Sequence, residues 1–352
     1  MKITALITAN GLGHFRRTVR ILAELVKHRS GLDITVLAEP WQKAAVKDWP
    51  LAETLWKSGA RLEAVPLTPG IIWNELPATF DDNRLMNWET RVLNHTAIRD
   101  ADLVLSDNLA GVLHVRSDAV LLGSFLWCEV FAPMAAQSQA IARFVDHEVK
   151  LLEKYRPACI CVDALAMPKL RELTQPVAVG FMCEHTPHAQ GEPYVVAFLG
   201  GAAGLATATL AQLAIELHDV LGSTLALPDN VIAVLDADTR GKVIRFNHSD
   251  AAYAALQLAL VRPGTGTITD CVTWNVPMLA LNEPKNTEMT WNASRVEALG
   301  IGRALPSPPL NPHQVAETAR ELLRSQTAAR HLASQPKDGI ARAAEWLLRE
   351  RM

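Results

Sequence analysis

Short apolar runs alternate along the chain with longer stretches in which apolar residues recur every three or four positions. The short runs fall at residues 3–9, 34–38, 60–66, 103–106, 120–123, 158–163 and 177–181, and again at 194–199, 231–235, 243–246, 259–261 and 278–281. Each is long enough for a buried strand and too short for a helix that covers a core. The first longer stretch is predicted to turn helical near Phe15. Its apolar residues Phe15, Val19, Leu22 and Val26 share one face, and Arg16, Arg20, Glu24 and Lys27 lie away from it. Residues 205–221 predict another helix. Asn311-Pro312 supplies a capping side chain followed by proline in the first helical position. A last helix starting at Asp338 stacks Ile340, Ala344 and Leu347. Strand–helix alternation of this kind predicts α/β architecture with parallel sheets.

The alternation is interrupted twice. Residues 66–94 hold several prolines with Trp73 and Trp88 and predict a surface elaboration around an acceptor pocket. Residues 183–193 are polar and broken by proline and glycine, the best linker in the chain. With 352 residues the chain is long enough for two domains, and these boundaries give residues 1–188 and 189–335.

The chemistry concentrates where strands end. The first strand runs into Asn10-Gly11-Leu12-Gly13-His14-Phe15-Arg16-Arg17. Its two glycines make a tight turn that lets a ligand approach the backbone. Arg16 stands where a dinucleotide fingerprint has its third glycine, and no GxxxxGK phosphate loop follows. His14 sits where ligands of open α/β sheets bind, and its imidazole suits a general base near neutral pH; the competing role is to cap or pack the helix start. Asp107, at the end of the run 103–106, has the placement to orient His14 and stabilise its imidazolium, or to cap the next helix. Asp163 has similar placement with a weaker case.

In the second half, the apolar run containing Leu258 and Leu260 leads into Arg262-Pro263-Gly264-Thr265-Gly266-Thr267-Ile268-Thr269-Asp270. A glycine-rich turn between strand and helix leaves backbone N–H groups unpaired at a helix N-terminus, a ready site for phosphate. Gly264, Thr265, Gly266 and Thr267 are the candidate diphosphate holders. Arg262 either neutralises the phosphates or anchors the turn. Asp270 either binds ribose hydroxyls or complements the helix dipole. A further loop carries Glu288 and Met289 into a helix, where Glu288 can accept hydrogen bonds from a sugar or act as a first-turn acid. Asn292 is expected to order helix packing.

Composition narrows the partners. The net charge of −3 and the lack of a basic stripe argue against nucleic acid. The apolar N-terminal run is too short for a membrane span and lacks a cleavage site, which points to the cytoplasm and leaves peripheral membrane contact open. Cys128, Cys159, Cys161, Cys183 and Cys271 show no CxxC spacing and read as buried free thiols, not metal ligands. Asp236-Ala237-Asp238 has the spacing of a metal-binding carboxylate pair but reads as turn residues after a strand.

Together these segments resemble the GT-B glycosyltransferases, above all bacterial UDP-sugar transferases similar to the peptidoglycan N-acetylglucosamine transferase and the antibiotic and macrolide glycosyltransferases. Gly11-Leu12-Gly13-His14 resembles the family's GxGH loop, whose histidine lies on the acceptor side. Residues 262–270 resemble its R-x-G-x-x-T-x-x-E segment, whose turn grips the pyrophosphate and whose acid holds the ribose. Pro277 fits the G-x-P that follows, with Asn275 in place of glycine, and Asn292-Ala293 with Leu299-Gly300-Ile301-Gly302 resembles its N-A…L-G-x-G ending. Asp270 is one methylene shorter than the usual glutamate. Glu288-Met289 replaces the usual Asp-Gln, Glu-Gln or Gln-Gln that grips the donor sugar. Residues 66–157 hold no recognisable acceptor motif.

The resemblance implies two Rossmann-like domains facing one another across a cleft, with the nucleotide mainly on the second domain and a final helix, residues 336–352, packed back on the first. It implies inverting transfer from a UDP- or dTDP-sugar to an acceptor hydroxyl (small molecule, glycan or lipid), with His14 as base and Asp107 behind it. Gly13 would join the nucleotide-binding set. Neither cofactor nor metal ion is expected, since the helix N-terminus replaces Mg²⁺. A nucleotide-sugar hydrolase or epimerase on the same scaffold is the alternative, and a non-catalytic nucleotide-sugar-binding protein is another.

Overall fold

The computed structural model describes residues 1–9, 11–47, 49–65, 80, 94–184, 195–199, 213, 217, 218, 224–247, 249–307 and 310–352. The chain divides into two compact units, one built from Met1–Met182 with Asp338–Met352 and the other from Cys183–Lys337.

The first unit is a seven-stranded parallel sheet. Its strands are β1 (Lys2–Ile7), β2 (Asp33–Ala38), β3 (Arg61–Ala64), β4 (Leu103–Asp107), β5 (Val120–Leu122), β6 (Ala158–Val162) and β7 (Gln175–Val179). They lie in the order β3-β2-β1-β4-β5-β6-β7, and every neighbouring pair is parallel. The strand order reverses between β1 and β4, the point at which ligands of doubly wound sheets bind. The strands read as unbroken apolar runs because both faces are covered: Ile3, Ala5, Leu6 and Ile7 are fully buried, as are Val104 and Leu105.

The helix Leu12–His28 follows β1. It begins three residues before the expected start, so His14 lies in its first turn. Phe15, Val19 and Leu22 are fully buried as the periodicity requires. Arg20 is a correction: the helical pattern places it on the outer face, yet it is 4% exposed, with its guanidinium 5.7 Å from the Trp49 ring centre. The helix Gly339–Glu350 packs against Leu12–His28 within this unit and buries Ile340, Ala343, Ala344 and Leu347.

The second unit is a six-stranded parallel sheet of β8 (Val195–Leu199), β9 (Thr224–Leu227), β10 (Val243–Arg245), β11 (Leu256–Val261), β12 (Met278–Ala280) and β13 (Gly302–Ala304). Its order, β10-β9-β8-β11-β12-β13, repeats the reversal of the first sheet between β8 and β11. Residues 231–235 are not the strand their apolar content predicts. Residues Asp229–Ile232 are helical, entered through Pro228, and Val231 and Leu235 are buried while Val234 is 60% exposed. A spacing of four brings those two to one face of a helical turn, whereas strand alternation would also bury Ala233, which is exposed. The strand lies earlier, at Thr224–Leu227. Most of the helix expected at 205–221 and nearly all of 66–94 lie outside the described residues.

Among the described residues no helix is long and apolar enough to cross a membrane. All five cysteines are buried and none is in a disulfide, and burial pushes the Cys161 thiol up to about 11.

Candidate functional site

In the first unit the chain brings His14 and Asp107 together at the reversal between β1 and β4. Gly11 holds φ at 100°, a left-handed conformation that turns the chain from strand to helix in a few residues and sets His14 at the sheet's edge. Asp107 is the last residue of β4, paired in register with Ile7 of β1. Its carboxylate is fully buried and completely engaged. Oδ1 accepts from His14 Nδ1 at 2.7 Å and from Arg17 Nη2 at 2.6 Å. Oδ2 accepts from Arg17 Nε at 2.9 Å and from the Thr18 hydroxyl at 2.8 Å. Burial pushes the Asp107 carboxyl up, but the Arg17 guanidinium and then His14 outweigh it, and the group is held below the ordinary carboxylate range. It is therefore an anion at neutral pH.

An anion can only accept, so the contact with Asp107 calls for the hydrogen on Nδ1, although Arg17 Nη2, itself only a donor, also stands 3.0 Å from that nitrogen. That tautomer leaves the basic lone pair of the imidazole on Nε2. The His14 side chain is 13% exposed, and its ring meets Phe125 edge-on with centroids 6.1 Å apart. The arrangement is a half-buried imidazole backed by a buried carboxylate.

Arg17 and Thr18 belong to this cluster, and the sequence reading passed over both. Their signal was the spacing: residues three and four positions after His14 share its helix face. Gly13 is exposed in the helix's first turn, and a Cβ there would meet nothing within 4 Å. Asp163 is 59% exposed in its side chain and pairs with Arg171 at 2.8 Å, away from this cluster. Asn10 lies outside the described residues.

In the second unit, β11 ends at Val261 and the helix Thr265–Trp274 begins after Gly264. Among the described residues no side chain caps this helix. The first backbone bond back to the turn is Ile268 N–H to Gly264 O at 3.0 Å, which leaves the N–H groups of Thr265, Gly266 and Thr267 without intrahelical partners. These residues are half-buried, and a Cβ on Gly264 would meet nothing within 4 Å. The turn is braced from outside. Asn292 Nδ2 donates to Pro263 O at 2.9 Å, the ordering role expected of it. Arg262 grips Glu283 in the loop after β12, with Nε to Oε1 at 2.6 Å and Nη2 to Oε2 at 3.1 Å.

Asp270 lies on the same helix, 7% exposed, and accepts from the Tyr253 hydroxyl at 3.3 Å. Glu288 is half-buried in the first turn of the helix Thr287–Ala298, which Asn286 caps by accepting from Met289 N–H at 3.2 Å. The Met289 side chain is 2% exposed and forms part of that helix's inner face. Asn275, which stands where glycine is usual, has φ 56° and closes the helix Thr265–Trp274 in the left-handed conformation that asparagine tolerates best after glycine. Asp236 and Asp238 are exposed at the start of the short helix Ala237–Arg240. Among the described residues no three His, Cys, Asp or Glu side chains are grouped to hold a metal ion.

Residues 207–346 match the family model described as the glycosyltransferase family 28 C-terminal domain. No curated protein matches the chain. Solved structures similar to it include the glycotransferase of kitacinnamycin, with a TM-score of 0.70 at 17% identity over 100% of this chain and 99% of that one. The spinosyn rhamnosyltransferase SpnG complexed with thymidine diphosphate aligns with a TM-score of 0.62 at 16% identity, over 99% of each chain. UGT71G1 of Medicago truncatula complexed with UDP-glucose aligns with a TM-score of 0.70 at 12% identity, over 98% of this chain and 97% of that one. The chain has the GT-B glycosyltransferase fold along its whole length, and residues 207–346 carry the family 28 match.

Proposed function

We propose that this protein transfers a sugar, with inversion, from a UDP- or dTDP-sugar to a hydroxyl of an acceptor. The observation that carries the reading is the His14–Asp107 pair at the strand reversal of the first unit. A base with one nitrogen locked to a buried carboxylate is what deprotonation of an alcohol requires. The match at residues 207–346 and the uncapped helix after β11 support a nucleotide-diphosphate donor.

In this reading Nε2 of His14 takes the acceptor's hydroxyl proton while Nδ1 keeps its hydrogen bond to Asp107. The acceptor oxygen attacks the anomeric carbon from the side opposite the diphosphate. The bond from that carbon to the β-phosphate oxygen breaks, and the electron pair leaves with the diphosphate. The N–H groups of Thr265, Gly266 and Thr267 stabilise the charge that develops there, together with the positive end of the helix dipole. Asp270 accepts from ribose hydroxyls beside Tyr253, and Glu288 from the sugar. Since backbone donors carry the leaving-group charge, the reaction proceeds without a divalent cation, and EDTA leaves the rate unchanged.

The reading is tested on His14. His14→Ala should lower kcat by about 10²–10⁴-fold, the usual contribution of a general base, while UDP affinity stays as in the wild type. Transfer at the wild-type rate in this variant would remove His14 from the mechanism.

A further inference from the structure

Asp107 does not face His14 alone. Arg17 lies three residues after His14 on the same helix and closes a two-point fork on the carboxylate, 2.9 Å from Oδ2 and 2.6 Å from Oδ1. The same Nη2 lies 3.0 Å from His14 Nδ1. Its side chain is 8% exposed, so solvent screens little of its charge. Thr18 supplies the fourth hydrogen bond. Among the described residues Cys159 on β6 also faces this cluster, and burial pushes its thiol well up, so that it stays neutral. Phe125 contributes only its ring edge.

A lone buried carboxylate would favour the imidazolium strongly. Here the carboxylate's charge is matched by a guanidinium at equal range, so the imidazolium gains little net counter-charge. The fork also fixes the carboxylate plane, and with it the direction in which Oδ1 meets Nδ1.

We propose that Arg17 is a positioning residue of this site: through Asp107 it holds the His14 imidazole in place and keeps it in the neutral, proton-accepting form. The proposal rests on the reading of His14 as the base. It concerns how that base is tuned, a role for which the GxGH loop alone gives no residue.

The test compares Arg17→Gln, Arg17→Lys and wild type by two readouts. The first needs no turnover: ¹⁵N spectra of histidine-labelled protein at pH 7. In Arg17→Gln the unmatched Asp107 carboxylate should move the His14 ring signals toward the imidazolium position. The second is the pH dependence of kcat/KM. In Arg17→Gln the acid limb should move up by about one pH unit or more, so that activity falls about threefold or more at pH 7 and recovers toward pH 9. Arg17→Lys keeps the charge and loses the fork, so its limb should stay in place while the rate falls about tenfold.

A purely structural brace would lower the rate equally at every pH and leave the ring signals unmoved, and that result overturns the proposal. Should Arg17→Gln fail to fold, Arg17→Met, which also removes the charge, is read by the same ring signals, and unmoved signals overturn the proposal; in Arg17→Lys a wild-type rate or a displaced limb overturns it as well. The two readings separate cleanly, because ring signals that move in Arg17→Gln while His14→Ala keeps full activity would uphold the coupling and refute the base.

Discussion

Asp107 accepts four hydrogen bonds from three side chains, and its chemistry follows from that crowding. Burial alone would favour the protonated acid; Arg17 and His14 reverse the balance and hold the carboxyl below its ordinary range. The sign of the stability effect follows. A group whose folded value is lowered contributes stability above its unfolded value of about 4 and loses it as pH falls through the lower folded one. Asp107→Asn removes that contribution. The variant should be less stable than the wild type at pH 7 and lose less stability than the wild type as the pH drops below about 4, measured by urea unfolding across pH. A parallel loss in both proteins would contradict the assignment. The pairing was legible because two strand ends place their last residues at one edge of a parallel sheet. Arg17 was harder to read: the helical pattern sorts arginines outward, and only the three-dimensional position of Asp107 reveals why this one turns in.

At the scale of an element, the helix Thr265–Trp274 ends its N-terminus in a turn rather than a cap. Gly264 has φ −67° and ψ 148°, the conformation of an ordinary N-cap residue, with open space where a Cβ would stand. An aspartate therefore fits this position. In Gly264→Asp the carboxylate would accept from the free N–H groups and complement the dipole, raising stability by about 0.5 kcal/mol. It would also place a negative charge where the diphosphate is proposed to sit, so UDP affinity should fall at least tenfold by calorimetry. Unchanged affinity would move the phosphate site elsewhere.

The strand ahead of this helix and the glycine-rich turn were visible in the sequence because apolar run, turn and helix follow one another without a break. The strands Thr224–Leu227 and Gly302–Ala304 were not. Both are short, and the first ends at Pro228, which passes the eye on to the apolar residues 231–235 beyond it. Those residues are helical because their buried pair is spaced by four, a distinction that apolar content alone does not make.

For the whole molecule, the same strand order in both sheets explains why strand ends are the productive places to search. Each reversal opens one edge, and the geometry of that edge, rather than any one motif, put His14 with Asp107 and left the helix after β11 without a side-chain cap among the described residues. The chain returns to its first unit at the end. Gly339 donates its N–H to Phe181 O at 3.1 Å, and a Cβ at Gly339 would overlap the carbonyl oxygen of Gly180. Both obstacles are backbone and cannot swing aside. Gly339→Ala should lower the stability of the first unit by about 1–3 kcal/mol, as overpacking does, and leave the second unit's thermal transition in place. A shift confined to the second transition would contradict the division of the chain at Met182 and Asp338.

Calorimetric titration of UDP and dTDP into the wild type and Gly264→Asp, each with Mg²⁺ and with EDTA, would show whether a nucleotide-diphosphate sugar is held on the helix after β11. At least one nucleotide should bind in the micromolar range, equally with and without Mg²⁺, and tenfold or more weakly after the substitution. Binding of neither nucleotide, or binding that Gly264→Asp leaves intact, would contradict that placement.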